Sequence, residues 1–168
     1  MRAKEAYKRS GKSPADAPRD TIMASPTPRP TFSPQVAEPT DERKAYGGAC
    51  HCQAVKFTVT IPPLETLKLS DCNCSICSKN GYALVYACRD DVHFEKGQGE
   101  LTAYRFHTKA NEHQFCPKCG SSLFVDFKDN PVDFVKPFIG VNVRALEGVD
   151  ARSLESFQRN VFDGKKNL

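Results

Sequence analysis

Polar and apolar residues alternate over residues 53–60: Val55, Phe57 and Val59 point one way, and Ala54, Lys56 and Thr58 the other. A period of two marks a strand with one buried face. Pro62-Pro63 ends it, because proline offers no backbone donor. Residues 67–70 read as a short strand, Ser75–Asn80 as one helical turn stopped by Gly81, and the nearly all-apolar run 82–88 as a central strand. Residues 92–94 form a brief strand, with a turn at Gly97 and Gly99. Residues 101–107 and Glu112–Phe115 read as further strands, so His93 and His107 both fall in strand patterns. Residues 121–127 set Leu123, Val125 and Phe127 on one face, 128–131 turn, and 137–143 give one more strand. A helical turn over 151–155 and an extended segment over 157–162, packed on the domain, close the pattern. Many short strands, frequent turns and no long amphipathic helix predict an all-β (mainly β) domain with short helical turns. No internal repeat is visible.

The pattern starts at Tyr46, where Gly47-Gly48-Ala49-Cys50-His51-Cys52 reads as a turn. Residues 1–45 are different in kind. They hold seven of the twelve prolines and only two of the sixteen aromatics, Tyr7 and Phe32. Such a segment buries too little apolar surface to offset its ordering entropy, so it reads as a disordered, Pro-rich tail before a domain at 46–168. Its basic start resembles a targeting signal, but Glu5, Asp16 and Asp20 count against one. Met23 is an alternative start. The N-terminus lacks an apolar signal core and no run is long enough to span a membrane, so an intracellular protein is expected, with the cytoplasm as the default and mitochondria or nucleus left open.

Cysteine changes the picture most. There are eight, with no export signal, which favours metal over disulfides. Asp71-Cys72-Asn73-Cys74-Ser75-Ile76-Cys77 puts three thiols within six residues. The C-x-C half suits an extended backbone and the C-x2-C half the start of a helical turn, so the three can wrap one soft ion; a reduced, metal-free cluster or part of a disulfide set is the plainer alternative. Cys116-Pro117-Lys118-Cys119-Gly120 is a zinc knuckle by chemistry, with Gly120 expected to free a backbone N–H to point at sulfur. A knuckle needs two more ligands, and Cys50 and Cys52 are the only other compact pair. These four are assigned to a closed tetrahedral site with metal–sulfur distances of about 2.3 Å, worth on the order of 10 kcal/mol when coupled to folding. Iron suits the same four sulfurs. The three-thiol set lacks a fourth local ligand and reads as an open, catalytic site. Two zinc ions per chain are therefore expected. Cys88 ends an apolar strand and reads as a small buried hydrophobe, with a role as fourth ligand the alternative. His113 is a further candidate to approach the open ion, and His51 is expected to point away from the four-cysteine site.

With those residues in place, the chain resembles the glutathione-dependent formaldehyde-activating enzyme family, which shares its domain with the centromere protein V family. The matching stretches are residues 47–57 (Gly-Gly-Ala-Cys-His-Cys-Gln-Ala-Val-Lys-Phe), 71–81 (Asp-Cys-Asn-Cys-Ser-Ile-Cys-Ser-Lys-Asn-Gly) and 113–121 (His-Gln-Phe-Cys-Pro-Lys-Cys-Gly-Ser). All seven family ligand positions carry Cys, over about residues 46–163, and Gln53 stands where the family often has Gly. The resemblance implies a Mss4-like fold of zinc-stabilised sheets. It also implies a structural zinc on Cys50, Cys52, Cys116 and Cys119 and a catalytic zinc on Cys72, Cys74 and Cys77. The implied activity is that of a carbon–sulfur lyase: formation or cleavage of S-(hydroxymethyl)glutathione from glutathione and formaldehyde.

The ligand set points to related chemistry by itself. Three thiolates on Zn²⁺ leave a net −1 site, a weaker Lewis acid than three imidazoles give, so a soft fourth ligand such as an incoming thiol is better matched than hydroxide. Expected partners are a glutathione-like thiol and a small aldehyde, with Lys79 and Asn80 as candidates for contacting the thiol's carboxylates or the oxyanion. A reading from another class is a non-catalytic zinc module that binds protein or nucleic acid. Charge argues against nucleic acid. The 46–168 region carries fifteen Lys/Arg against fourteen Asp/Glu, and metallated thiolates would take that balance to about −2.

Overall fold

The computed structural model describes residues 42–150 and 152–167. The expected tail, with its basic start and Met23, lies outside the described residues up to position 41. Lys44 and Ala45 open the first strand, β1, which spans Lys44–Ala49. The turn expected at Gly47 and Gly48 is therefore found later, over residues 51–55. Both glycines sit in the ladder, paired with Thr58 and Phe57 of β2, Lys56–Ile61. Gly48 serves a close approach rather than a bend: a Cβ there would lie 2.4 Å from Cζ of Phe57.

The remaining strands follow in short pieces. They are β3 (Leu69–Cys72), β4 (Leu84–Cys88), β5 (Val92–Lys96), β6 (Thr102–Tyr104), β7 (Glu112–Phe115), β8 (Ser122–Asp126), β9 (Phe138–Asn142) and β10 (Arg159–Phe162). Two short helices complete the set, α1 at Ser75–Asn80 and α2 at Gly164–Asn167, with 3₁₀ turns between strands. One sheet has the order β1-β2-β5 and the other β10-β3-β4-β9-β8-β7-β6. All pairings are antiparallel except β10 with β3. The fold is mainly β, as its alternation predicts. The extended segment expected near the end is an edge strand of the large sheet. Among the described residues no helix is long and apolar enough to cross a membrane.

Two expectations change here. The strand expected to run to His107 stops at Tyr104, because His107 and Lys109 take positive φ (50° and 58°) and cannot continue a ladder. The single apolar face expected for 121–127 is replaced by burial on both faces. Phe124 and Asp126 are buried with Leu123, Val125 and Phe127, since β8 lies inside the sheet. Asp126 is tolerated there because Arg89 meets it with two hydrogen bonds of 2.8 Å.

The large sheet separates two apolar clusters. Val85 and Ala87 of β4 join the main one, where Phe57, Phe94 and Phe124 meet edge to face or tilted, Phe57 to Phe124 at 4.7 Å. Leu84 and Tyr86, pointing the other way, join a smaller one with Tyr82, Val125, Phe127, Cys74 and Cys77. Cys50 and Cys116 belong to the main cluster, so the two cysteine groups of the sequence lie against opposite faces of one sheet.

Gly48→Ala should lose about 1–3 kcal/mol in a urea titration, because the added methyl must displace the fully buried Phe57. A second outcome concerns His113 of β7, buried between Tyr82 (5.8 Å) and Phe106 (5.5 Å), where burial lowers its pKa. The unfolded chain takes up this proton more readily, so stability should fall as pH drops below the ordinary value of 6.5. The difference in stability between the wild type and His113→Phe across that range isolates this contribution.

Candidate metal centres

Cys50 follows β1 and is held by a tight turn. Its backbone N–H donates to the Val55 carbonyl at 3.1 Å, and Gln53 N–H donates to the Cys50 carbonyl at 2.9 Å. Gln53 reaches a left-handed φ of 62° to do so, a conformation that glycine adopts at lower cost. The Val55 N–H then points at Cys50 Sγ, 3.3 Å away. On the other side, Cys116 and Cys119 lie in the loop between β7 and β8. There Gly120 N–H donates to the Cys116 carbonyl at 2.8 Å, and Cys116 N–H to the Ser121 carbonyl at 3.0 Å. The Gly120 N–H itself closes the turn on a carbonyl, and the knuckle's backbone N–H that favours the Cys119 thiolate belongs to Ser121. A Cβ at Gly120 would meet nothing within 4 Å, so the glycine answers to its φ of 74°. His51 N–H reaches Ser121 Oγ at 3.1 Å and ties the two loops together.

The four sulfurs converge. Cys50 Sγ lies 3.6 Å from Cys52 Sγ, and Cys52 Sγ 3.7 Å from Cys116 Sγ. Disulfides need about 2.05 Å, and all eight cysteines are free. The edge of a tetrahedron with metal–sulfur bonds of about 2.3 Å is about 3.75 Å, which these separations match. Cys119 Sγ contacts Ser121 Oγ at 3.2 Å. That contact, with the N–H groups of Cys52 and Ser121, pulls its thiol down to about 5.

Cys72 ends β3, Cys74 is the residue before α1, and Cys77 lies within α1. The helix stops as the sequence predicts. Gly81 takes φ 59° and its N–H returns to the Cys77 carbonyl. The sheet makes room here, since β3 and β4 share a single pair, Ser70 with Leu84. The three Sγ atoms lie within 4.8 Å of one another, as do the four of the first group. Contact with Cys77, helped by the N–H groups of Cys74 and Gly164, pulls Cys72 down to about 6, while the same contact drives Cys77 up. Crowded thiols that pull one neighbour down and push another up cannot all ionise without a cation between them. Either group could hold a metal ion, and an all-sulfur donor set selects a soft one.

Other expectations are redistributed. Cys88 belongs to neither group. It is exposed at the end of β4, on the face of Leu84 and Tyr86 but past the residues that cover them, so it is neither a buried hydrophobe nor a ligand beside the three thiols. His113 is likewise not among the ligand atoms of the three-thiol group. Lys79 is exposed in the last turn of α1, where a cation suits the carbonyl end of a helix, and His51 is exposed in the turn. Asn80 lies near the Tyr82 hydroxyl. Tyr82 itself carried no signal in the sequence beyond its apolar run. It is buried beside Cys74 and Cys77, and burial raises its pKa, so it keeps its proton. Its hydroxyl faces Asn80 and Ser122 without completing a hydrogen bond, and Nδ1 of the neighbouring His113 is also unpartnered among the described residues.

Residues 45–150 match the sequence model of the family described as glutathione-dependent formaldehyde-activating enzyme. A Halomonas elongata protein named "Putative glutathione-dependent formaldehyde-activating enzyme" is 33% identical over 99 residues, 54% of this chain and 61% of that protein. The chain thus spans less than two thirds of that relative. A crystal structure of a Rhodobacter sphaeroides protein superposes with a TM-score of 0.56 at 32% identity, covering 68% of this chain and 99% of the other. A match over most of the described residues, on a fold that gathers the same cysteines, places the chain in the glutathione-dependent formaldehyde-activating enzyme family.

Proposed function

We propose that the chain is a zinc-dependent carbon–sulfur lyase acting on thiol–aldehyde adducts, of which S-(hydroxymethyl)glutathione, from glutathione and formaldehyde, is the leading candidate. The observation that carries this is a group of three thiols with no fourth Cys, His, Asp or Glu ligand atom gathered with them among the described residues. The family description and the name of the Halomonas relative support the substrate pair. The four-cysteine group is the structural counterpart, closed and partly in the main core.

A zinc ion on Cys72, Cys74 and Cys77 would carry a net −1 and take a substrate thiol in its deprotonated form. The other roles fall to the chain. Tyr82 stays protonated and offers its O–H to the oxygen that gains charge as sulfur adds to the aldehyde carbon. In that step a C–S bond forms, the C=O π pair moves to oxygen, and oxygen receives the proton that the thiol gave up. Neutral His113 packs against Tyr82 and fixes its ring. Arg144 donates from Nε to the Gly81 carbonyl at 2.7 Å, which brings a second cation to the end of α1 that bears Lys79. Those two are the groups offered to the carboxylates of a glutathione-like thiol, and Asn80 lies near the Tyr82 hydroxyl.

The two cysteine groups should fail differently. Cys119→Ser should lower expression and melting temperature, because it opens the cross-link between distant loops. Cys74→Ser should leave a folded chain with one zinc fewer by metal analysis and no turnover. Equal destabilisation by the two would refute the division of labour.

The function is tested with cobalt in place of zinc. Glutathione should change the sulfur-to-cobalt charge-transfer band, and it should bind more tightly as pH rises until the free thiol ionises. In the zinc protein, Tyr82→Phe should reduce kcat for adduct formation by about 10²–10³ with little change in thiol affinity. A band indifferent to thiols, with no turnover of glutathione and formaldehyde, would sink the proposal.

A further inference from the structure

The family match ends at residue 150, yet the end of the chain returns to the three-thiol group. β10 lies parallel to β3 with Phe162 opposite Cys72, and Asn73 N–H donates to the Phe162 carbonyl at 3.2 Å. The next residues clasp the loop between the first two thiols. Asn73 Nδ2 donates to Asp163 Oδ1 at 2.8 Å, and Lys165 N–H donates back to Asn73 Oδ1 at 3.0 Å. Between those two contacts, Gly164 lies directly on the thiols. A Cβ there would be 2.6 Å from Cys72 Sγ, 2.8 Å from Cys74 Cβ and 3.4 Å from Cys74 N. The φ of Gly164 is not positive, so glycine is needed here for space and not for conformation. The Cys74 N–H, which the Gly164 backbone lies against, donates to Cys72 Sγ at 3.5 Å.

We propose that residues 162–165 are a positioning element of the three-thiol centre: Gly164 seats its backbone against Cys72 and Cys74, the Asn73–Asp163–Lys165 clasp holds it there, and together they set how firmly the centre keeps its ion. The inference rests on the reading that this centre binds a metal. Only a residue without a side chain can lie this close to Cys72 Sγ and to the Cys74 N–H that serves it. A donor at a ligand sulfur fixes its orientation and draws off part of its charge, and loss of such outer partners commonly costs about 10–100-fold in metal affinity.

The test uses the full chain, loaded with cobalt, in three forms: wild type, Gly164→Ala and Asp163→Ala. The alanine at 164 must push the segment off the thiols. The alanine at 163 removes one half of the clasp without adding bulk, and so guards against a folding defect. The expected result is that both variants keep one ion at the four-cysteine site with an unchanged spectrum, while the second ion binds about 10-fold or more weakly with a shifted charge-transfer band. The effect should be larger for Gly164→Ala. Wild type binding two ions with both variants matching it in affinity and band would overturn this inference and leave the proposed function standing. Wild type binding a single ion would overturn the proposed function, and this inference with it.

Discussion

Sulfurs from two segments more than sixty residues apart lie 3.7 Å from each other, and that meeting closes the chain between them into a loop. Such packing of groups that ionise is unfavourable unless a cation sits among them, and the separations fit the edge of a metal–sulfur tetrahedron. The constraint is geometric as well as electrostatic. Cys50 can join only if β1 ends where it does, and Cys116 only if β7 and β8 are joined by a turn as tight as the one Gly120 closes. Both of those sulfurs are buried with Phe57, Val55 and Leu123, so the cross-link and the main core form together.

The other face of the large sheet follows a different rule. There the three thiols lie where β3 and β4 part after a single pair, against a cluster of seven buried residues that includes two of the cysteines. A split sheet leaves backbone groups to be satisfied locally. Helix α1, its cap at Gly81 and the parallel strand β10 supply those partners. This face therefore adds loops and an edge strand to the packing that buries Cys74 and Cys77, while Cys72 stays partly exposed.

How much of this was readable beforehand depends on the range of the interaction. The alternation of Val55, Phe57 and Val59 fixed the buried face of β2, and the pair Asn80-Gly81 fixed the end of α1, because both signals are local. The two cysteine groups were legible from spacing and elimination, and the gathered sulfurs agree. Gly47-Gly48 misled, since two glycines suggest a turn when the neighbour that needs the space, Phe57, is on another strand. Cys88 misled for a similar reason: an apolar run does not reveal which residue extends past the covering layer. Tyr82 and Gly164 were silent in the sequence, because their significance lies in what the fold sets beside them. Asp163-Gly164 carries no message until β10 is laid next to β3.

The chemistry of the three-thiol face is coherent on the proposed reading. Thiolate ligands weaken an ion as a Lewis acid and so disfavour hydroxide chemistry, but they suit a fourth sulfur. A thiol that adds to an aldehyde then needs a neutral donor near the new oxygen and no strong base that would compete for the proton. Tyr82 is held protonated by burial, and His113 is kept neutral by the same burial. The unpartnered Tyr82 hydroxyl carries a cost of about 1–3 kcal/mol for lost hydration, which an incoming oxygen would relieve. The same low-dielectric surroundings that make that hydroxyl costly in the free protein would strengthen its hydrogen bond to a developing negative charge. A face built this way is poorly suited to activating water and well suited to a reaction in which a soft nucleophile is held and a small charge on oxygen is met by one preorganised hydroxyl.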